Sequence, residues 1–266
     1  MSTANTQGWT LPILKDPDVI RFPLVEIFHS VEGEGLMAGT PMLFVRFAKC
    51  NLACSFCDTP YNRGAITADL ESLVSLILKT GVRWIKFTGG EPTLQNGLSP
   101  LVKALMMARP ELKFAIETNG MIWNEALPLI HYVVVSPKFH DGTADLPDDR
   151  IVSPRMRELK ECRPGEFRIC ISRQFGLSTV HRERIVEFLK SMPEIKAHAI
   201  PVLFSPEFAP HTSLPDGWKS GDGHMGATGA PIEGCLTACR FLVHHFANEG
   251  YGARISIQSH KLLGAR

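Results

Sequence analysis

At 266 residues, with 44% hydrophobic and 21% charged residues, the chain has an ordinary globular make-up and enough length for one large core. Its 28 basic and 27 acidic residues leave a net charge of +1, so no one-signed field points to nucleic acid or an anionic membrane as partner. No apolar run reaches membrane-crossing length, Met1 to Gly8 lack a signal-peptide core, and seven cysteines, an odd count, argue against a disulfide framework; the expectation is a reducing cytoplasm.

Residues 1–20 are polar, hold Pro12 and Pro17, and read as an irregular lead-in. Leu24 to His29 and Met42 to Phe47, rich in Val, Phe, Ile and Leu, read as strands. Between them Ser30-Val31-Glu32-Gly33-Glu34-Gly35 is a turn whose glycines let backbone approach a ligand closely. Thr67 is placed to cap a helix that carries Leu70, Leu73, Val74 and Ile77 on one face, with Gly81 as its stop. Trp84 to Thr88 is a strand ending in Gly89-Gly90-Glu91-Pro92, a helix covers Leu98 to Ala108, and strand Phe114 to Thr118 runs into Asn119-Gly120. A short helix over Glu125 to Leu129 leads to strand Tyr132 to Ser136 and then Pro137-Lys138. A helix at Arg155 to Glu161, strand Phe167 to Ser172, helix Thr179 to Ser191 and strand Lys196 to Phe204 follow. Residues 205–231 are rich in Gly, Pro, Ser and His and break this rhythm, as expected of a segment that covers a pocket or a subunit contact. Helix Gly234 to Asn248 and strand Arg254 to His260 come last.

Alternating strands and helices predict parallel strands joined by right-handed crossovers, with the site built at the carboxyl ends of the strands. The expected fold class is α/β, a partial (β/α)6-type barrel in a single domain with a divergent C-terminal segment. By residue, 1–22 is the lead-in, 23–204 the core, and 205–266 the loop, helix and strand that complete the same domain.

The stretch from Cys50 to Cys57 places three thiols (Cys50, Cys54 and Cys57) within eight residues, separated by three residues and then two. Three sulfurs on one tight loop reach three corners of a cubane iron–sulfur cluster and leave the fourth iron open to a cofactor. Zinc is the alternative, although no fourth ligand is obvious in the next ten residues. Buried incidental cysteines are the plainest reading. Cys162, Cys170, Cys235 and Cys239 remain, and the last two share a helix face, either as packing residues beside Leu242 and Phe246 or as part of a second metal site. Arg46 lies on an apolar strand, where an unpaired charge is expensive, so a partner is expected.

Several further pieces join the cysteines in order: Glu32-Gly33-Glu34-Gly35, Arg46, Asp58-Thr59, Thr88 to Pro92, Glu117 to Gly120, Ser136 to Lys138, and Gln258 to Lys261. Together they resemble the radical S-adenosylmethionine superfamily and, within it, the 7-carboxy-7-deazaguanine synthase family. The resemblance implies a [4Fe-4S] cluster on Cys50, Cys54 and Cys57, and Mg²⁺ on Thr59. It implies S-adenosylmethionine held by Phe56, Asp58, Gly90, Ser136, Pro137 and Lys138. Substrate would be held by Val31, Glu32, Gly33, Glu34, Arg46, Thr88, Glu117 and His260. No catalytic residue beyond the cluster and cofactor ligands is implied. Glu32 departs from the family, which usually has Gln there.

The implied activity is that of a carbon–nitrogen lyase of queuosine biosynthesis. It converts 6-carboxy-5,6,7,8-tetrahydropterin to 7-carboxy-7-deazaguanine by radical ring contraction with loss of ammonia. The implied partners are an electron donor such as flavodoxin or ferredoxin and a second copy in a homodimer, with neither nucleic acid nor membrane. An activase acting on a protein partner shares the cysteine spacing and would lack a metal site of the Thr59 kind. A non-enzymatic electron carrier would hold its cluster with four cysteines.

Overall fold

The computed structural model describes residues 19–54, 57, 59, 61, 66–139, 165–172, 179–207 and 233–259. Strand β1 (Arg21–Val31) returns through a nine-residue connection into β2 (Pro41–Phe47), and the two pair antiparallel, with Ile27 opposite Val45. A connection that short has no room for a crossover helix, so the parallel rule fails at this first step. Residues Ile66–Asp69 form β3, antiparallel to the start of β1, with Arg21 opposite Asp69. Helix α1 (Leu70–Lys79) is capped by Asp69, whose carboxylate accepts from the Ser72 N–H at 2.8 Å. Thr67, expected as the cap, is instead inside the β3 ladder opposite Pro23.

Parallel βα units then follow: β4 (Trp84–Gly89), α2 (Leu98–Ala108), β5 (Lys113–Thr118), β6 (Tyr132–Val135), β7 (Glu166–Ile171), α3 (Thr179–Lys190), α4 (Pro193–Ala197), β8 (Val202–Pro206), α5 (Glu233–Asn248) and β9 (Ala253–Ile255). The sheet order is β3-β1-β2-β4-β5-β6-β7-β8-β9, parallel from β2 onward. The partial barrel and its α/β class are borne out. The strand expected over 196–204 begins later, because Pro193–Ala197 is helical, and it runs through Ser205 and Pro206. Leu127–Leu129 is one 3-10 turn rather than a helix, with Pro128 inside it. Among the described residues no helix is long and apolar enough to cross a membrane. Residues 208–231, the helix expected at 155–161 and Cys162 lie outside the described residues.

Side chains alternate across a strand, and this sheet uses the alternation to separate two chemistries. Leu43, Val45, Phe47, Ile85, Phe87, Phe114, Ile116, Val133, Val135, Phe167, Ile169, Val202 and Phe204 form the buried face, which packs under the helices. Phe47, Phe87 and Phe114 run across it with ring centroids 6.1 and 6.0 Å apart. Cys235 and Cys239 are 1% and 0% exposed in the same core, with Leu242 and Phe246, so they pack as small hydrophobes. Among the described residues no three His, Cys, Asp or Glu side chains gather round a single-ion site. The intervening positions, including Lys86, Glu117, Glu166, Arg168 and Ser205, fall on the other face, the inside of the partial barrel.

Candidate active site

The cysteine loop leaves the carboxyl end of β2 and is braced mainly by backbone. Lys49, at φ 73°, turns the chain into it. The Gly90 N–H donates to Phe47 O at 3.0 Å and the Glu91 N–H to Lys49 O at 2.9 Å. The approach is so close that a Cβ on Gly90 would stand 1.9 Å from Lys49 O, and one on Gly89, at φ 137°, 2.1 Å from Phe47 O. Gly90 therefore spends its N–H on the loop, and only its carbonyl is left for a bound cofactor.

Glu91 is 1% exposed and ties the neighbouring turn to the same loop. Its carboxylate accepts from Thr93 N (3.0 Å), Thr93 Oγ1 (2.6 Å), Thr118 Oγ1 (2.8 Å) and Asn119 N (2.8 Å). Burial pushes its pKa up, and these donors pull against that. Asn119 Nδ2 in turn donates to Asn51 Oδ1 at 2.8 Å, next to Cys50.

The Leu52 N–H points at Cys50 Sγ (3.4 Å), and the Cys57 N–H donates to Cys54 O (3.1 Å). Burial raises the Cys50 thiol, with Glu91 and Cys57 adding to it, and pushes Cys54 up to about 11, with Cys57 and Cys50 adding to it; the Lys138 ammonium lowers both. Three thiols on one short loop, two of which feel the Lys138 charge, suit a cluster that also receives an anionic ligand group. Lys138 follows β6 and donates to Ser136 Oγ at 2.6 Å. Thr59 Oγ1 accepts from Arg46 Nη1 at 3.2 Å, and Arg46 is held by Glu26 at 2.9 Å and lies 5.6 Å from the Phe28 ring centroid. Thr88 pairs in register with Arg46 on the adjacent strand. Phe56, Asp58 and His260 lie outside the described residues.

The inside of the barrel carries four carboxylates and two cations that take no part in the cysteine loop. Lys86 Nζ meets Glu32 Oε2 and lies 3.4 Å from Glu117 Oε2. Arg168 reaches Glu117 (3.1 Å), Glu34 (3.8 Å) and Glu32 (4.0 Å) and binds Glu166 through Nε and Nη2. Glu166, 0% exposed, also accepts from Tyr132 Oη at 2.8 Å and from the Leu36 N–H at 2.9 Å. Burial alone would raise Glu117, but Arg168, Lys86 and Lys138 outweigh it and hold the carboxyl at about 2. Burial works against charge on Lys86 too, yet Glu32 and Glu117 raise its pKa, so it is an ammonium.

The Glu32-Gly33-Glu34-Gly35 turn is clasped from the far end of the sheet. Gly33 O accepts from Ser259 N (2.9 Å) and Ser259 Oγ (2.7 Å), the Gly35 N–H donates to Ser256 Oγ (3.0 Å), and Gln258 Nε2 donates to Glu34. Gly35 sits at φ 70°, where a Cβ would stand 2.1 Å from Glu166 Oε1. Among the described residues no ladder pairs β9 with β1 or β3, so these bonds cross the open seam of the barrel in place of strand pairing.

Of the residues expected to hold substrate, Glu32, Glu34 and Glu117 do come together, while Arg46 pairs with Thr59, the residue expected to hold Mg²⁺. Lys86, Glu166, Arg168 and Tyr132 were missed. The available signal was a charge between apolar neighbours on a strand, as in Ile85-Lys86-Phe87 and Phe167-Arg168-Ile169, which marks an inward polar face.

Residues 44–136 match the family model of the radical SAM superfamily. The chain is similar to the 7-carboxy-7-deazaguanine synthase of Neisseria meningitidis serogroup B, 44% identical over 125 residues that cover 46% of this chain and 55% of that one. The enzyme of that name from Haemophilus influenzae is 44% identical over 121 residues, covering 44% and 53%. The chain spans about half the length of the curated relatives it matches. A solved structure of QueE from Escherichia coli is similar at a TM-score of 0.56 and 21% identity, over 90% of this chain and 95% of that one, which shows the fold alone.

Proposed function

We propose, from the radical SAM match over residues 44–136, that the chain is a 7-carboxy-7-deazaguanine synthase, contracting the ring of 6-carboxy-5,6,7,8-tetrahydropterin with loss of ammonia. The observation that carries the reading is the three-thiol loop bracketed by Gly90, Asn119 and Lys138, with a charged inner wall in the same barrel. When bound, a [4Fe-4S] cluster and S-adenosylmethionine supply a one-electron cleavage that yields a 5′-deoxyadenosyl radical. Cys50, Cys54 and Cys57 would hold the cluster. Lys138, kept in place by Ser136, offers its ammonium to the cofactor carboxylate. Pro137, Phe56, Asp58 and the Gly90 carbonyl complete that side.

Glu34 and Glu117 accept N–H bonds from the pterin edge, while Arg46 meets its carboxylate. Val31, Gly33, Thr88 and His260 line the remainder. Thr59 would give Mg²⁺ one neutral oxygen, the Oγ1 that accepts from Arg46, and the metal would serve to orient the substrate carboxylate. The chain's own work is to orient the pterin and exclude water from a reactive centre. A flavodoxin- or ferredoxin-type protein in the cytoplasm is the reductant, and the working assembly is a homodimer.

The test is anaerobic incubation of cluster-loaded protein with dithionite, S-adenosylmethionine, Mg²⁺ and the carboxytetrahydropterin, followed by mass spectrometry. Formation of 7-carboxy-7-deazaguanine is expected. Cleavage of S-adenosylmethionine with the pterin left intact would overturn the assignment.

A further inference from the structure

Lys86 is 2% exposed on the inner face of the sheet, with Phe44 on β2 and Ala115 on β5 as its register neighbours. A buried ammonium there is unfavourable beside a hydrophobe of similar volume unless it has a task.

The two carboxylates it meets are used differently. Glu32 has both oxygens engaged inside the protein, Oε2 by Lys86 and Oε1 by the Glu34 N–H at 3.2 Å, and its side chain is 7% exposed. Among the described residues Glu117 is gripped on one oxygen only. Lys86 at 3.4 Å and Arg168 at 3.1 Å both converge on Oε2, and the side chain keeps 28% of its surface open. A carboxylate pinned from two sides through one oxygen presents the other at a fixed angle, the preorganisation a ligand-binding acceptor needs.

We propose that Lys86 is the positioning residue that aims Glu117 at the N–H donors of the bound heterocycle, and that Glu32 is withdrawn from ligand contact to serve as its counter-ion. This rests on the pterin reading of the pocket. It differs from a purely structural ion pair in one respect: removing both charges of the Glu32–Lys86 pair leaves a sound fold and a poorly aimed Glu117.

The test is equilibrium binding of oxidised 6-carboxypterin, followed by its fluorescence, to cluster-loaded wild type, E32Q/K86M, E117Q and E32Q/K86M/E117Q, alongside turnover of the reduced substrate. The paired change is used because K86M alone strands a buried Glu32 and threatens the fold. E32Q/K86M is expected to unfold within a few degrees of wild type, to bind the pterin about tenfold more weakly, and to raise KM more than it lowers kcat. The triple variant is expected to bind no more weakly than E117Q, because Lys86 acts through Glu117. Wild-type affinity in E32Q/K86M, or additive losses in the triple variant, would overturn the proposal. Wild type that binds the pterin without turning it over sinks the enzymatic reading alone; wild type that does not bind it sinks both.

Discussion

The cysteine loop and the carboxylate wall occupy one barrel but are held by opposite means. The loop is braced by neutral backbone and amide bonds, from Phe47 O, Lys49 O and Asn51, and burial raises the Cys50 and Cys54 thiols, which must give up their protons to bind metal. The wall is set in advance by buried charge, with Lys86 and Arg168 spread over four carboxylates. A loop that waits for its cofactor and a wall that needs none implies that the two can be broken separately.

The largest effect tests that separation. Cys54→Ala is expected to abolish turnover and remove the cubane absorption, while pterin binding to the wall falls less than about threefold; equal loss of both would join what is here kept apart. Next comes Arg168→Met, which leaves Glu166 buried without its cation. A loss of roughly 3–5 kcal/mol in urea unfolding is expected, with iron loading of the surviving folded protein unchanged. Gly35→Ala puts a Cβ against Glu166 at a positive φ, and a loss of about 1–3 kcal/mol is expected, together with weaker pterin binding. Loss of stability with unaltered pterin binding would separate the turn from the wall.

A pH series sharpens the comparison from the wall's side. Glu117 is held at about 2, below its unfolded pKa of about 4.3, so its charge favours the fold above the higher value. That contribution fades as pH falls between the two. The stability gap between wild type and E117Q is expected to be flat near neutrality and to close between about pH 4.5 and 2. Smallest is Asp69→Ala, which removes the cap of α1 far from either feature and costs about 1 kcal/mol with pterin binding and iron content untouched.

The loop could be read from the chain because its ligands are seven residues apart at most and their spacing is the signal. The parallel units from β4 to β8 could be read from hydrophobic period and glycine punctuation. The wall could not. Lys86 and Glu32 are 54 residues apart and Arg168 and Glu117 51, so each charge was visible and its partner was not. Glu32 itself was expected to touch substrate, and its pairing with Lys86 is visible only in three dimensions. β3 escaped notice for a similar reason. Its four residues carry no pattern, and what makes them a strand is the ladder to Arg21–Leu24. The cap followed from that: Thr67 lies two residues back inside the strand, and Asp69, the last residue of β3, is the one that meets the first turn of α1.

Gly33 and Ser259 are bonded across 226 positions of chain, and that has a bearing on biosynthesis. A ribosome must release Ser259 before the reaction chamber has its last side. Any iron–sulfur assembly that begins on the growing chain therefore works on a vessel still open along one flank, where oxygen has free access to the thiols.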